Sequence, residues 1–152
     1  MTHSRLQILI RDARPDDAEV LSELFDELGR PTPAVTVVER MKTLDGLGNR
    51  VLVAEYNGAV AGLLTLHQTP NLHAGPDGRI TALVVSAQAR NLGIATRLVQ
   101  AAEDICRQWK CHRMEVMSAI ERVDAHRLYE HLGYRETRKR FRKELEIDRN
   151  DS

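Results

Sequence analysis

The fold is decided by residues 80–109, which read ITALVVSAQARNLGIATRLVQAAEDICRQW. The apolar run from Arg79 to Ser86 predicts a strand that is buried on both faces. Behind it, apolar residues recur at helical spacing and predict an amphipathic helix that ends near residue 109. The residues of this stripe are Leu92, Ala95, Leu98, Val99, Ala102, Ile105, Cys106 and Trp109. Since such a stripe needs a facing apolar surface, we expect the helix to pack along a sheet.

Between the predicted strand and helix lies Arg90-Asn91-Leu92-Gly93-Ile94-Ala95. Backbone N–H groups at the start of a helix, together with the positive end of its dipole, can hold a phosphate or pyrophosphate. Gly93 would allow the backbone to approach such an anion closely. The segment lacks the Gly-Lys-Ser/Thr ending of a P-loop and the three glycines of a Gly-x-Gly-x-x-Gly motif. From these residues alone, an ordinary strand-to-helix turn is an equally open interpretation.

Upstream of this stretch, the pattern predicts one strand and two helices. Residues 6–13 are rich in aliphatic side chains and stop before Pro15, which is typical of a strand. A helix is expected over residues 16–28, where Asp16 and Glu19 have the spacing of a capping box. A second helix is expected from Thr32-Pro33 to Asp45-Gly46.

Two apolar runs, residues 49–56 and 59–67, flank the dipeptide Asn57-Gly58. This dipeptide favours a two-residue type I′ turn, because both of its residues tolerate positive φ, so the pattern predicts a β-hairpin. Residues 68–78 contain two prolines and two glycines and predict a loop.

Downstream, residues 113–119 predict another strand, and a short helix is expected to end at Gly133. The apolar positions of this helix are Ala125, Leu128, Tyr129 and Leu132. Residues 134–147 predict a strand pair or one long strand, since apolar and charged residues alternate there. The element order is therefore β-α-α-β-β-β-α-β-α-β, an α/β mixture with an antiparallel first half.

Two motifs in this order resemble a known family. Arg90-x-x-Gly93-x-Ala95 is followed by Ala125-x-x-x-Tyr129-x-x-x-Gly133-Tyr134, and together they are similar to the signatures of the GNAT superfamily of acetyl-CoA-dependent N-acetyltransferases. The resemblance covers nearly the whole chain. It implies one acetyltransferase domain over residues 1–152, with a three-layer α+β fold in which helices flank a mixed, mostly antiparallel central sheet.

The same resemblance implies where acetyl-CoA binds. The pyrophosphate would rest on the backbone of Arg90, Asn91, Leu92, Gly93, Ile94 and Ala95, with the Thr96 hydroxyl as an additional donor. The pantetheine arm would run along Leu83, Val84 and Val85. No metal is implied.

Tyr129 is the candidate catalytic residue. A phenol can donate a proton or a hydrogen bond to the departing thiolate, and the matching tyrosine often has this role in the family. The alternative is that Tyr129 is a core aromatic residue of its helix. We expect Tyr134 to serve packing.

The chain departs from the family pattern at two places. Many relatives carry a carboxylate on the strand before the turn, where this chain has Thr81 and Ala82. The general base is therefore left open among several candidates, which are His67, His73, Glu115, a water chain and an amine that arrives neutral. Arg122 stands where many relatives have Asn, and either contacts a ligand or is a solvated residue at the helix start.

Composition narrows the class of partner. The chain has 152 residues with 22 basic and 22 acidic side chains, so net charge gives no reason to expect nucleic acid or an anionic membrane. The balance is uneven along the chain, because residues 12–28 are acidic and residues 134–143 are basic. The acidic helices would suit a cationic amine on the acceptor side. Two cysteines without metal-ligand spacing, and apolar stretches too short to span a membrane, favour a cytoplasmic protein.

The sequence thus predicts transfer of an acetyl group from acetyl-CoA to a primary amine of a small molecule, by direct attack in a ternary complex. A homodimer is left open. The main alternative is an acyl-CoA-binding sensor or interaction module that has the fold without turnover. A nucleic-acid module on the basic segment 138–143 is disfavoured, since only Phe141 interrupts its charges.

Overall fold

The computed structural model describes residues 7–117, 123–137 and 140–147. In these residues the elements, in chain order, are β1 (Ile8–Asp12), α1 (Ala18–Glu27), α2 (Ala34–Gly46), β2 (Arg50–Tyr56), β3 (Ala59–Thr69), β4 (Asp77–Val85), α3 (Ile94–Gln108), β5 (Arg113–Val116) and α4 (Val123–His131). Single turns of 3₁₀ helix cover Pro15–Asp17 and Ala87–Ala89. The chain divides into two compact units, Met1–Ala119 and Ile120–Ser152.

The first unit is built on a sheet with the strand order β1-β2-β3-β4-β5. The first four strands are antiparallel neighbours, and β5 lies parallel to β4. Since α3 connects β4 to β5, it forms the crossover that a parallel pair requires. The predicted mixed, mostly antiparallel sheet flanked by helices is confirmed.

The hairpin of β2 and β3 has the predicted turn. Asn57 and Gly58 have φ angles of 50° and 88°, as a type I′ turn requires. The next loop is shorter than predicted, because β3 and β4 pair as far as Thr69 and Asp77. Only residues 70–76 connect the two strands.

Helices cover both faces of this sheet. On one face, α1 and α2 enclose a core with residues from β2, β3 and β4, formed by Ala18, Leu21, Leu24, Val37, Val53, Leu63 and Val84. We call this the α1–α2 face. On the other face, α3 approaches β3 so closely that a Cβ on Gly62 would lie 3.1 Å from Ile94 and 3.3 Å from Leu98. Gly62 therefore allows the start of α3 to approach the sheet closely.

Strand β4 is not buried on both faces as predicted. Gly78, Ile80 and Val84 are buried, whereas Thr81 is exposed. The cause is a β-bulge, since Leu66 pairs with Ile80 and Thr65 with Ala82, so that Thr81 has no partner on β3. A one-residue bulge leaves no trace in the apolar pattern of a strand.

The predicted strand over residues 134–147 is wrong for the described residues, since 134–137 and 140–147 have no strand structure. Their alternating apolar side chains are exposed, Phe141 at 96% and Ile147 at 81%. Alternation predicts a strand only if another strand supplies hydrogen bonds. Residues 138–139 lie outside the described residues, as does the end of the predicted strand over 113–119 beyond residue 117.

In the second unit, α4 ends as predicted. Gly133 has a φ of 92°, and the Tyr134 N–H donates to the Tyr129 carbonyl at 2.8 Å. This bond and the left-handed glycine are those of a Schellman motif.

Candidate functional site

The segment from residue 90 to 96, which we call the 90–96 turn, joins the end of β4 to α3. Gly93 is the N-cap of α3 with a φ of 82°, and as a glycine it has no side chain that could accept from the first N–H groups of the helix. The first intrahelical bond runs from the Arg97 N–H to the Gly93 carbonyl at 3.1 Å. The N–H groups of Ile94, Ala95 and Thr96 therefore remain available to a ligand at the positive end of the helix.

The shape of the 90–96 turn depends on two residues with left-handed backbone. Asn91 has a φ of 65° and Gly93 a φ of 82°, conformations that Gly adopts freely and Asn tolerates. Both residues are exposed, as is Arg90. The turn thus presents backbone and polar side chains at the surface, next to a helix N-terminus of the kind at which anions bind in proteins.

The strand residues assigned to the pantetheine arm lie directly before this turn. Val84 is buried in the core of the α1–α2 face, and Leu83 and Val85 are half-buried. Among the described residues, β4 pairs with β5 only as far as Ile80 and Val116, beyond which the Met117 N–H donates to the Ile80 carbonyl at 3.2 Å. From Thr81 onward, β4 has its described strand partner on the β3 side alone.

At the other end of β4, three polar side chains lie side by side across the sheet. His67 on β3 is opposite Arg79 on β4, and Arg79 is opposite Glu115 on β5. Arg79 Nη2 donates to a Glu115 carboxylate oxygen at 3.2 Å. We call His67, Arg79 and Glu115 the polar row.

The surroundings of His67 shift the pKa of its imidazole. Burial lowers the pKa of the His67 imidazole below its ordinary 6.5, and the nearby positive charge of Arg79 lowers that pKa further. The imidazole is consequently neutral at pH 7 and can accept a proton.

The remaining base candidates differ in setting. His73 is exposed in the loop 70–76, whereas Glu115 is engaged with Arg79. Thr81 and Ala82 supply no carboxylate at the bulge. Arg122 lies outside the described residues.

Tyr129 lies on α4 in the second unit, and its ring meets that of Tyr134 edge to face at 6.1 Å between centroids. The pair follows from the Schellman motif, which folds Tyr134 back toward the last turn of α4. Aromatic pairs of this geometry stabilise a helix end by about 1 kcal/mol.

Neither cysteine has the environment of a nucleophile. Burial raises the pKa of the Cys106 thiol to about 12, and burial also raises the pKa of Cys111. Cys106 Sγ occupies the space above Gly78, where an added Cβ would overlap it. The burial of Cys106 agrees with its place in the apolar stripe of the predicted helix.

Within residues 7–117, 123–137 and 140–147, no three His, Cys, Asp or Glu side chains are grouped as a metal site would require. None of the helices described there has the length and apolar character needed to cross a bilayer.

The sequence singled out the 90–96 turn and His67 but overlooked Arg79. The only sign of Arg79 in the sequence was a charged residue at the start of a predicted apolar strand. The role of Arg79 depends on strand register. Register pairs Arg79 with His67, 12 positions earlier in the chain, and with Glu115, 36 positions later.

A comparison with known protein families identifies the family to which the chain belongs. The family model described as the acetyltransferase (GNAT) family matches residues 16–134. The chain belongs to this family. The match includes β4, the 90–96 turn, α3 and α4, so both motifs named from the sequence lie within it.

One curated GNAT relative is the aminoalkylphosphonate N-acetyltransferase of Salmonella typhimurium. It is 39% identical over 90 residues, which are 59% of this chain and 58% of the relative. The match thus spans somewhat more than half the length of this relative.

Solved GNAT structures share the fold at low identity. The aminoglycoside N-acetyltransferase AAC(6')-Iy in complex with CoA has a TM-score of 0.84 and 15% identity, covering 97% of this chain and 100% of that one. The ribosomal-protein-alanine N-acetyltransferase of Brucella melitensis biovar Abortus 2308 has a TM-score of 0.78 and 19% identity, covering 91% and 100%. At these identities the comparison establishes the fold alone.

Proposed function

We propose that this GNAT protein transfers an acetyl group from acetyl-CoA to a primary amine of a small molecule, by direct attack in a ternary complex. The observation that carries the proposal is the 90–96 turn, where Gly93 in a left-handed conformation starts α3 without a capping side chain. The family match covers residues 16–134 and so reaches into the second unit, which supports a single catalytic domain over residues 1–152.

The cosubstrate is held by backbone groups in this proposal. The N–H groups from Arg90 to Thr96 receive the pyrophosphate, with the Thr96 hydroxyl as a further donor. Leu83, Val84 and Val85 line the pantetheine arm, and a backbone N–H near Val84 polarises the thioester carbonyl as in an oxyanion hole. No metal takes part in this scheme.

The chemistry requires two proton transfers. The amine nitrogen forms a bond to the acetyl carbon, the carbon–sulfur bond breaks, and the thiolate leaves. Tyr129 donates its phenolic proton or a hydrogen bond to that sulfur. We assign the acceptance of the amine proton to a water chain that ends on His67, because its imidazole is neutral at pH 7 whereas Glu115 is engaged with Arg79.

The acceptor is a small molecule in this proposal. The curated relative supports this choice, since its name gives an aminoalkylphosphonate as the compound that it acetylates. The predicted cytoplasmic location would give such an enzyme access to acetyl-CoA.

The test is release of CoA thiol from acetyl-CoA in the presence of single amines. The panel contains aminoalkylphosphonates, amino acids, polyamines and aminoglycosides, with a reaction lacking amine as the blank. We expect saturable, amine-dependent thiol release and calorimetric binding of acetyl-CoA. A protein that neither binds acetyl-CoA nor releases thiol with any amine would contradict the proposal.

A second candidate is an acyl-CoA-binding module without turnover. Thr81 and Ala82 favour it, because neither residue can act as the carboxylate base that many relatives carry. This candidate predicts calorimetric binding of acetyl-CoA with thiol release at the rate of the blank for every amine.

A further inference from the structure

Among the described arginines of the sheet, Arg79 has a side-chain hydrogen-bond donor that lacks an acceptor. Arg113 gives Nε and Nη2 to the two oxygens of Asp77 at 3.1 and 3.0 Å, and Arg50 gives the same two atoms to Asp12 at 2.9 and 2.7 Å. Arg79 makes one contact, from Nη2 to Glu115 at 3.2 Å. Among the described side chains, Arg79 Nε is the buried nitrogen or oxygen atom that lacks a partner.

The position of Arg79 in the fold is fixed by its neighbour. A Cβ on Gly78 would overlap Cys106 of α3, so the next residue, Arg79, points to the α1–α2 face. On β3, Leu63 belongs to the core of this face, and His67, four residues later, lies on the same side. Arg79 and His67 thus share the face that contains Val84.

Although Nε itself is buried, the Arg79 side chain as a whole is partly open to solvent. The Arg79 and Glu115 side chains retain 35% and 36% of their exposure. A buried donor without a partner is destabilising, and a phosphonate, phosphate ester or carboxylate that accepts from Nε and Nη2 through two of its oxygens would remove that cost. Arg113 cannot provide this pair of donors, because Asp77 already occupies both.

We propose that Arg79 recognises an oxyanion on the amine substrate, a phosphonate, phosphate ester or carboxylate, and so selects short amines that carry such a group. This inference rests on the proposed acetyltransferase function and specifies its substrate class. The oxyanion would take over the donors of Arg79, in competition with Glu115.

The test compares 2-aminoethylphosphonate with propylamine, a neutral amine of similar length, as acetyl acceptors. For Arg79→Gln we expect kcat/KM to fall about 10- to 100-fold with the phosphonate and to change less than about twofold with propylamine. Arg79→Lys keeps the charge without the paired donors, so it should recover part of the loss. The matched control, Arg113→Gln, removes a cation from the same face and should leave both amines within about twofold.

Glu115→Gln separates recognition from a structural ion pair. If Arg79 binds the oxyanion, loss of the competing carboxylate lowers KM for the phosphonate, opposite in sign to Arg79→Gln. If the pair only stabilises the sheet, both substitutions reduce thermal stability and impair both amines alike. Equal losses with the two amines, or an Arg79→Gln enzyme within twofold of the parent on the phosphonate, would overturn the inference.

Binding of methylphosphonate to the CoA-saturated protein, measured by calorimetry, distinguishes this inference from the proposed function. Binding that Arg79→Gln weakens at least tenfold, in a protein that acetylates no amine, would retain the oxyanion site and reject the acetyltransferase. Acetylation of both amines with no dependence on Arg79 would do the reverse.

Discussion

In our proposals, the two ends of β4 bind ligands through different parts of the chain. At the carboxyl end, the 90–96 turn offers backbone N–H groups, and its shape depends on φ at Asn91 and Gly93. At the amino end, the polar row offers side chains that strand pairing brings together. The first end should therefore tolerate side-chain changes that preserve φ, whereas the second should respond to the loss of a single functional group.

The two kinds of recognition lie at opposite ends of one strand, about 20 Å apart, since strand residues rise about 3.3 Å each. Backbone recognition suits a cosubstrate that every family member shares. Side-chain recognition suits an acceptor that differs from one enzyme to another. The predictions below test this division.

The largest effect should come from Tyr129, which belongs to neither end of β4. Tyr129→Phe removes the proton donor for the thiolate, so kcat should fall about 100-fold, with little change in the Kd for acetyl-CoA. Steady-state kinetics and calorimetry measure the two quantities. Tyr134→Phe is the matched control and should retain kcat within about twofold. Equal kcat values for the parent and Tyr129→Phe would remove Tyr129 from the mechanism.

A smaller effect is expected at the 90–96 turn. Gly93→Ala forces a residue with a Cβ into a φ of 82°, and we expect the Kd for acetyl-CoA to rise about tenfold as the turn relaxes. Gly58→Ala imposes a similar strain in the hairpin, where φ is 88°, and should lower stability without changing this Kd.

Asn91→Gly tests the backbone interpretation directly. It removes a side chain and retains access to left-handed φ, so the Kd should stay within about twofold. If Asn91→Gly weakened binding as much as Gly93→Ala, the turn would bind through side chains and the contrast between the two ends would be lost.

At the polar row, His67→Gln should lower kcat about fivefold at neutral pH. This loss is smaller than the roughly 100-fold or more of a base in direct contact with the amine, because solvent can replace part of a role that His67 performs through water. The active form of His67 is neutral, so activity is present above its pKa and falls as pH drops through it. Because that pKa lies below 6.5, the acid limb of the pH profile should lie below 6.5 in the parent. The limb should vanish in His67→Gln and move upward in Arg79→Gln, where a nearby positive charge is gone. A limb that persists in His67→Gln would assign the base elsewhere.

The smallest effect concerns the free energy of unfolding. Loss of stability in acid sets the lowest pH at which the activity profile can be measured. Asp17 accepts from Arg11 at 2.8 and 2.9 Å and from the Arg14 N–H at 2.7 Å. The hydrogen bonds and charge of Arg11 lower the pKa of the Asp17 carboxyl. The contribution of Asp17 to folding stability is therefore complete above the pKa of its carboxyl in the unfolded chain, about 3.9. This contribution is lost as pH falls through the pKa of Asp17 in the folded protein.

Asp17→Asn should reduce the free energy of unfolding by about 1 kcal/mol at pH 7. Urea unfolding at pH 7 and at pH 3 should show this difference shrinking toward acid. A difference that is constant with pH would mean that the Asp17 charge does not contribute.

The sequence predicted the features that depend on local chemistry. Asn57-Gly58 predicted the hairpin, the apolar stripe predicted α3, and Gly133 predicted the end of α4. The 90–96 turn was also predicted, because its motif is contiguous in the chain.

Features that depend on register were not predicted. The bulge at Thr81 and the pairing of Arg79 with His67 and Glu115 arise from alignment between strands, and a shift of one residue would place Arg79 on the opposite face. The strand expected over residues 134–147 failed for a related reason, since a periodic pattern does not reveal whether a neighbouring strand exists.

The contact between Cys106 and Gly78 has a practical consequence. Since Cys106 is buried against a residue without a side chain and Cys111 is only partly covered, a maleimide dye should attach to one of the chain's two cysteines well before the other. Cys111 lies two residues before β5, so the attached fluorophore would stand near the end of the sheet that carries the polar row. Its emission then offers a reporter for acceptor binding that requires no turnover.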